Sequence, residues 1–153
     1  MFAGFIQPRK LYAVYYGGTS NYACGSASWP PALIGYVAAI YLRGQDERGG
    51  PRCETVRFSS SVDTPGYHEF GMLHEILHTL GVVARCAPHH TFSGHVSDDP
   101  QDLMYAGSQD WRPSLLDVGR DDYFEHNNPG CLDLAKSIFL DPAVPDAVPP
   151  PGW

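Results

Sequence analysis

The stretch from Asp63 to Gly81 constrains this chain more than any other segment. Asp63-Thr64-Pro65 reads as a helix start, with an N-cap candidate and a Pro near the first turn. Gly81 reads as the stop, because glycine readily takes the left-handed conformation that ends helices. The spacing therefore predicts one helix from about Pro65 to Leu80. Leu73, Ile76, Leu77 and Leu80 recur at helical spacing and would bury one face in a core. On the adjoining face stands His74-Glu75-Ile76-Leu77-His78, an HExxH motif. At about 100° per residue the two His lie only about 40° apart, so both imidazoles reach one metal ion. Glu75 sits about 100° from His74, beside such an ion, where a general base is needed. A bare HExxH is short and recurs by chance. Here it falls on a helix with a clean apolar face and a Gly stop, and His takes two adjacent turns where Leu would pack better.

The rest of the chain predicts a small sheet and much loop. With 153 residues and 16.8 kDa it fits one domain, and 43% apolar residues fill a real core. Lys10 to Tyr16 reads as a strand, Thr19 to Pro31 as a loop, and Ile34 to Leu42 as an internal strand, apolar on both faces. Glu54 to Ser60 alternates like a third short strand. Val82 to Asp110 reads as ordered loop. Pro113 to Phe124 predicts a helix or helical turns, and Leu132 to Leu140 a short helix. Residues 141 to 153 hold five Pro in thirteen positions, a flexible Pro-rich tail beyond a domain of 1–140. The fold class expected is α+β, a small mixed sheet packed on the motif helix.

Charge and hydropathy exclude several roles. The net charge of -7, with no basic run longer than Arg9-Lys10, disfavours nucleic acid and anionic membrane. The longest apolar stretch, Ala32 to Leu42, has eleven residues where a membrane span needs about 20. Met1 to Lys10 lacks the pattern of a signal peptide, so the expectation is a removed signal or a start inside a longer precursor. The sequence carries no sign of oligomeric state.

Cys24, Cys53, Cys86 and Cys131 form no CxxC pair, which disfavours a zinc knuckle and leaves three pairings. One reading is four buried thiols in a cytosolic protein. The favoured one is Cys24 with Cys53 and Cys86 with Cys131, each closing a loop in a different half, in an oxidising compartment.

A catalytic zinc takes three protein ligands and keeps one position open. The downstream candidates for the third are His89, His90, His95, Asp98, Asp99 and Glu125. His68 and His126 read as surface residues. Asp98, Asp99 and Asp102 suit calcium, but turn formation is the commoner role and the preferred one. Trp29, Trp111, Tyr15 and Tyr16 suit a cleft lining or ordinary packing.

The extended motif His74-Glu75-x-x-His78-x-x-Gly81 resembles the metzincin metallopeptidases. The Asp102-Leu103-Met104-Tyr105 stretch is similar to their Met-turn, nine residues past His95. The position three after Gly81, where these enzymes carry a ligand, is Ala84. The third ligand must then come across an insertion. Ala87-Pro88-His89-His90 and Gly94 to Asp99 look like a group of bacterial metzincin-like proteins. That resemblance covers about Lys10 to Leu140 and implies His95 as third ligand, with His89 or His90 as substitutes. Glu125 would suit the gluzincins, against which Gly81 and Met104 argue.

The resemblance implies a secreted, zinc-dependent endopeptidase acting on a peptide or protein substrate. Zn2+ would sit on His74, His78 and His95, with Glu75 as general base and Tyr105 near the developing oxyanion. The substrate would add to an edge strand near Tyr36 to Leu42 or a neighbour. Metzincins carry more sheet and an earlier helix before the strand that Leu11 to Tyr16 resembles, so the resemblance implies an N-terminally truncated domain. Two other classes stay open: a metal-binding or adhesion module without turnover, and a hydrolase of non-peptide amides.

Overall fold

The computed structural model describes residues 11–20, 23–28, 37–43, 58 and 61–137. It is an α+β fold, with β1 (Tyr12–Tyr16), β2 (Gly25–Ala27), β3 (Val37–Tyr41), α1 (Tyr67–Thr79), β4 (His90–Thr91) and β5 (His95–Val96). The first three strands make a mixed sheet in the order β1-β3-β2, with β3 parallel to β1 and antiparallel to β2. The central place of β3 matches its apolar sequence. Ala38 and Ile40 are buried against Met72 of α1, with Ala27, Leu42 and Ile76 around them. β2 is a correction, since it lies in the stretch expected to be loop between Thr19 and Pro31. Gly25, Ser26 and Ala27 have low strand propensity, so tertiary packing on α1 and β3 decides the outcome. Because β3 is flanked on both sides, the segment around Tyr36 to Leu42 is no edge; its neighbour β2 ends the sheet among the described residues. Tyr15 and Tyr16, at 52% and 54% exposure, lie on the outer strand β1.

α1 begins two residues later than expected, at Tyr67, with Gly66 as N-cap. Glu69 Oε2 accepts the Gly66 N–H at 2.9 Å, satisfying one of the amides a helix start leaves open. The helix stops as the sequence indicates: Leu80 caps it and Gly81 turns out at φ 73°. Its C-terminal half belongs to a second core, in which Leu77 and Leu80 meet Val82, Val83, Val96, Met104, Tyr123 and Leu134. α1 is thus the shared wall between the sheet and the loop-rich half.

That half contains almost no regular structure. The helices expected at 113–124 and 132–140 are absent from its described residues, apart from one 3-10 turn at Leu134–Lys136. The reason is visible in the backbone. Gly119, Arg120 and Glu125 take φ of 86°, 54° and 53°, which no right-handed helix allows. Asp117 Oδ2 also accepts three successive amides, from Asp122, Tyr123 and Phe124, at 3.3, 2.7 and 2.7 Å. A side chain that takes the amides removes them from any helix. Asp102 does similar work: Oδ1 accepts from the Met104 N–H and the Tyr123 hydroxyl, and Oδ2 from the Val118 N–H. Asp99 accepts the Gln101 N–H, a turn role as expected.

Cys86 and Cys131 are disulfide-bonded across 45 residues, as the sequence reading favours. Pairing of Cys24 with Cys53, the Glu54–Ser60 strand apart from Phe58, Trp29 and the Pro-rich tail lie outside the described residues. A loop of this length is worth about 4 kcal/mol in the chain-entropy view. Replacing both Cys86 and Cys131 by Ser is expected to lower Tm by roughly 10 °C. Calorimetry showing an unchanged Tm would contradict a structural role for this bridge.

Candidate metal centre

Three imidazoles converge at the junction of the two halves. Nε2 of His74 lies 3.0 Å from Nε2 of His78 and 3.2 Å from that of His95, and the latter two are 3.1 Å apart. His74 and His78 come from consecutive turns of α1. His95 arrives from β5, delivered by a tight β4–β5 hairpin in which Ser93 and Gly94 take φ of 54° and 77°.

The protons explain what these contacts are. His74 Nδ1–H donates to the Leu103 carbonyl at 2.7 Å, and His95 Nδ1–H to the Phe92 carbonyl at 2.9 Å. A carbonyl only accepts, so in both neutral rings the proton is on Nδ1 and Nε2 presents a lone pair. His74 and His95 therefore do not hydrogen-bond to each other. Burial lowers the His74 pKa to about 4 and the His78 pKa to about 2, each helped by neighbouring His; burial lowers that of His95 too. All three rings are held neutral, as metal ligands must be. Tetrahedral nitrogens at the ~2.0–2.1 Å of a Zn–N bond lie about 3.3 Å apart. The observed separations fit that spacing, and the three residues can hold a metal ion.

The supports come from the Asp102–Tyr105 turn. The Leu103 carbonyl orients His74, and Met104 is wholly buried in the core that Leu77 and Leu80 of α1 share. Trp111 Nε1–H donates to the Asp102 carbonyl at 3.1 Å, and its ring meets His74 edge-on at 5.6 Å. The Leu103 carbonyl, as acceptor behind the His74 ring, fixes its tautomer and orientation.

Glu75, His74 and His95 open into a cleft of about 250 Å³, also lined by Gly25, Tyr67, Tyr105 and Trp111. Burial raises the Glu75 carboxyl to about 7. A Cβ at Gly25 would collide with the Glu75 side chain, so any larger residue there would push that carboxylate from its place. Tyr105 lines the same cleft, its oxygen accepting the Gln109 N–H at 2.9 Å.

The other candidates lie elsewhere. His90 Nδ1–H donates to the Val83 carbonyl, and His89 pairs with Asp122 at 3.0 Å. Glu125 is exposed and paired with Arg120. Asp98 faces His89 at 3.7 Å. Two surface assignments need correction. His126 is 6% exposed, its Nε2–H donating to the Leu132 carbonyl and its Nδ1 accepting from Asn128 N–H. The pull of a buried acceptor wins over the polar sequence around it. His68 is half-buried beside Tyr67, with a buried Nε2. β2, Gly25 and Tyr67 escape the sequence reading, because no local pattern marks which strand or turn will face the motif.

No known protein family, characterised protein or solved structure matched the chain on comparison. Among the described residues no helix is long and apolar enough to cross a membrane.

Proposed function

We propose that this chain is a metzincin-like, zinc-dependent peptidase. The observation that carries the reading is Glu75: a half-buried carboxylate one residue from His74, in the cleft onto which the three-His cluster opens. A metal store has no use for a carboxylate there, whereas hydrolysis needs a base. His74, His78 and His95 would hold zinc, which would supply a Lewis acid able to activate water near neutral pH and to polarise a carbonyl.

The chain's own residues do the rest. Glu75 accepts the proton of the attacking water and passes it to the leaving nitrogen. With its oxygen accepting from the Gln109 N–H, the Tyr105 hydroxyl would direct its O–H toward the developing oxyanion. Among the described residues β2 ends the sheet and its Gly25 lines the cleft, so an extended peptide would pair there as an added strand. The Cys86–Cys131 bridge supports a secreted protein.

The test is cleavage of an unfolded protein substrate. Activity should vanish with a chelator and return with added zinc. Stoichiometric zinc without cleavage of any peptide would favour the non-catalytic metal-binding module instead, and cleavage confined to small non-peptide amides would favour the other hydrolase class.

A further inference from the structure

A second polar cluster lies outside the cleft, where the loop after α1 meets the turn at 117–122. Asp117 is 6% exposed. Its Oδ2 is saturated by the three amides already described, yet its Oδ1 is sealed from solvent and has no partner among the described residues. Asp121 Oδ1 is buried and unpartnered in the same way. Asp122 is fully buried beside them, and ligand oxygens of all three approach within 4.8 Å of one another. An acceptor buried without a donor costs about 1–3 kcal/mol, and more when charged. Two such oxygens in one small cluster call for a cation.

No side chain fills that role among the described residues. Arg120, the nearest base in sequence, turns away to Glu125. His89 faces the cluster, but its backbone N–H and Nδ1 are both spent on Asp122, at 2.8 and 3.0 Å. A single imidazolium also leaves the three carboxylates, and Asp98 beyond them, in negative excess.

We propose that Asp117, Asp121 and Asp122 form a second metal site, for calcium. An all-carboxylate donor set is hard, which selects Ca2+ or Mg2+ over zinc. Calcium accepts an irregular shell of six to eight oxygens, whereas magnesium demands near-ideal octahedral geometry. Asp121 is half-exposed, so water can complete the shell. The alternative trio of His89, Asp98 and Asp122 would bring in a nitrogen donor, but it leaves out both unpartnered oxygens. Gly119 and Arg120 are left-handed in the turn between Asp117 and Asp121, and ligand oxygens of those two residues lie within 4.8 Å of each other. Through Asp122 and its bonds to His89, the ion would tie this turn to the loop that leads to His95.

The experiment uses the full chain, pre-loaded with zinc. Terbium luminescence, excited through Tyr123 nearby, should titrate to one site and be displaced by calcium. Calcium at 10 mM should raise Tm by roughly 5 °C or more. Asp121→Asn should weaken both effects at least tenfold while still folding, since that side chain is half-exposed. Asp117→Asn should abolish them. No terbium signal and no calcium-dependent Tm shift in the wild type would overturn the site. So would calcium binding as tight in Asp121→Asn as in the wild type, or a terbium signal displaced by zinc and not by calcium.

Discussion

His95→Ala is expected to remove tight zinc binding, cutting affinity by more than the roughly 10–100-fold that loss of a mere orienting partner costs. Its Nε2 completes a triangle with His74 and His78 whose sides are 3.0 to 3.2 Å. Without it two ligands remain, one fewer than a catalytic zinc ordinarily takes from protein. The hairpin itself should survive, because the β4–β5 pairing and the Val96–Met104 backbone bond do not use the ring. His90→Ala is the matched control. That ring also sits on the hairpin, but among the described residues it is not part of the cluster that His74, His78 and His95 form. His89→Ala is a second control, since its ring faces Asp122. Both should leave zinc affinity within about tenfold of wild type. Zinc analysis and competition with a chromogenic chelator would measure all three. Stoichiometric, tight zinc in His95→Ala, or its loss in His90→Ala, would reassign the third ligand.

The sequence makes one half of this centre legible and hides the other for physical reasons. The helix, its Gly81 stop and the paired imidazoles are local: periodicity and a left-handed stop residue specify them without help from the rest of the chain. His95 is a different matter. It stands seventeen residues beyond His78, and only its hairpin, turned by Ser93 and Gly94, decides that its ring and not that of His90 faces the helix. Spacing alone leaves His89, His90 and His95 equivalent; it is the resemblance to metzincins that singles out His95. Similar logic governs the misses. Asp117 looks like an ordinary helix-compatible residue until its carboxylate takes three amides from 122–124 and forbids the helix expected there. β2 has poor strand residues and exists because α1 and β3 need a neighbour that tolerates Glu75 at contact, which Gly25 does.

Glu75→Gln should separate binding from chemistry. Gln keeps the size of Glu and can fill the same space against Gly25, so the fold and the three-His cluster are expected to persist with full zinc occupancy. What it loses is the ability to take a proton, and turnover should fall by about a hundred-fold or more. The pH profile gives an independent check on the same group. Burial raises the Glu75 carboxyl to about 7, and a cation on the adjacent His cluster pulls it back down. A base must be ionised to work, so wild-type activity should be lost as pH falls through an acid limb between the ordinary Glu value and about 7. Glu75→Asp keeps a titratable carboxylate on a shorter arm; it should retain an acid limb at reduced rate, while Glu75→Gln should show residual activity without that limb. Zinc-loaded Glu75→Gln cleaving substrate at the wild-type rate would remove Glu75 from the chemistry and, with it, the main support for a peptidase.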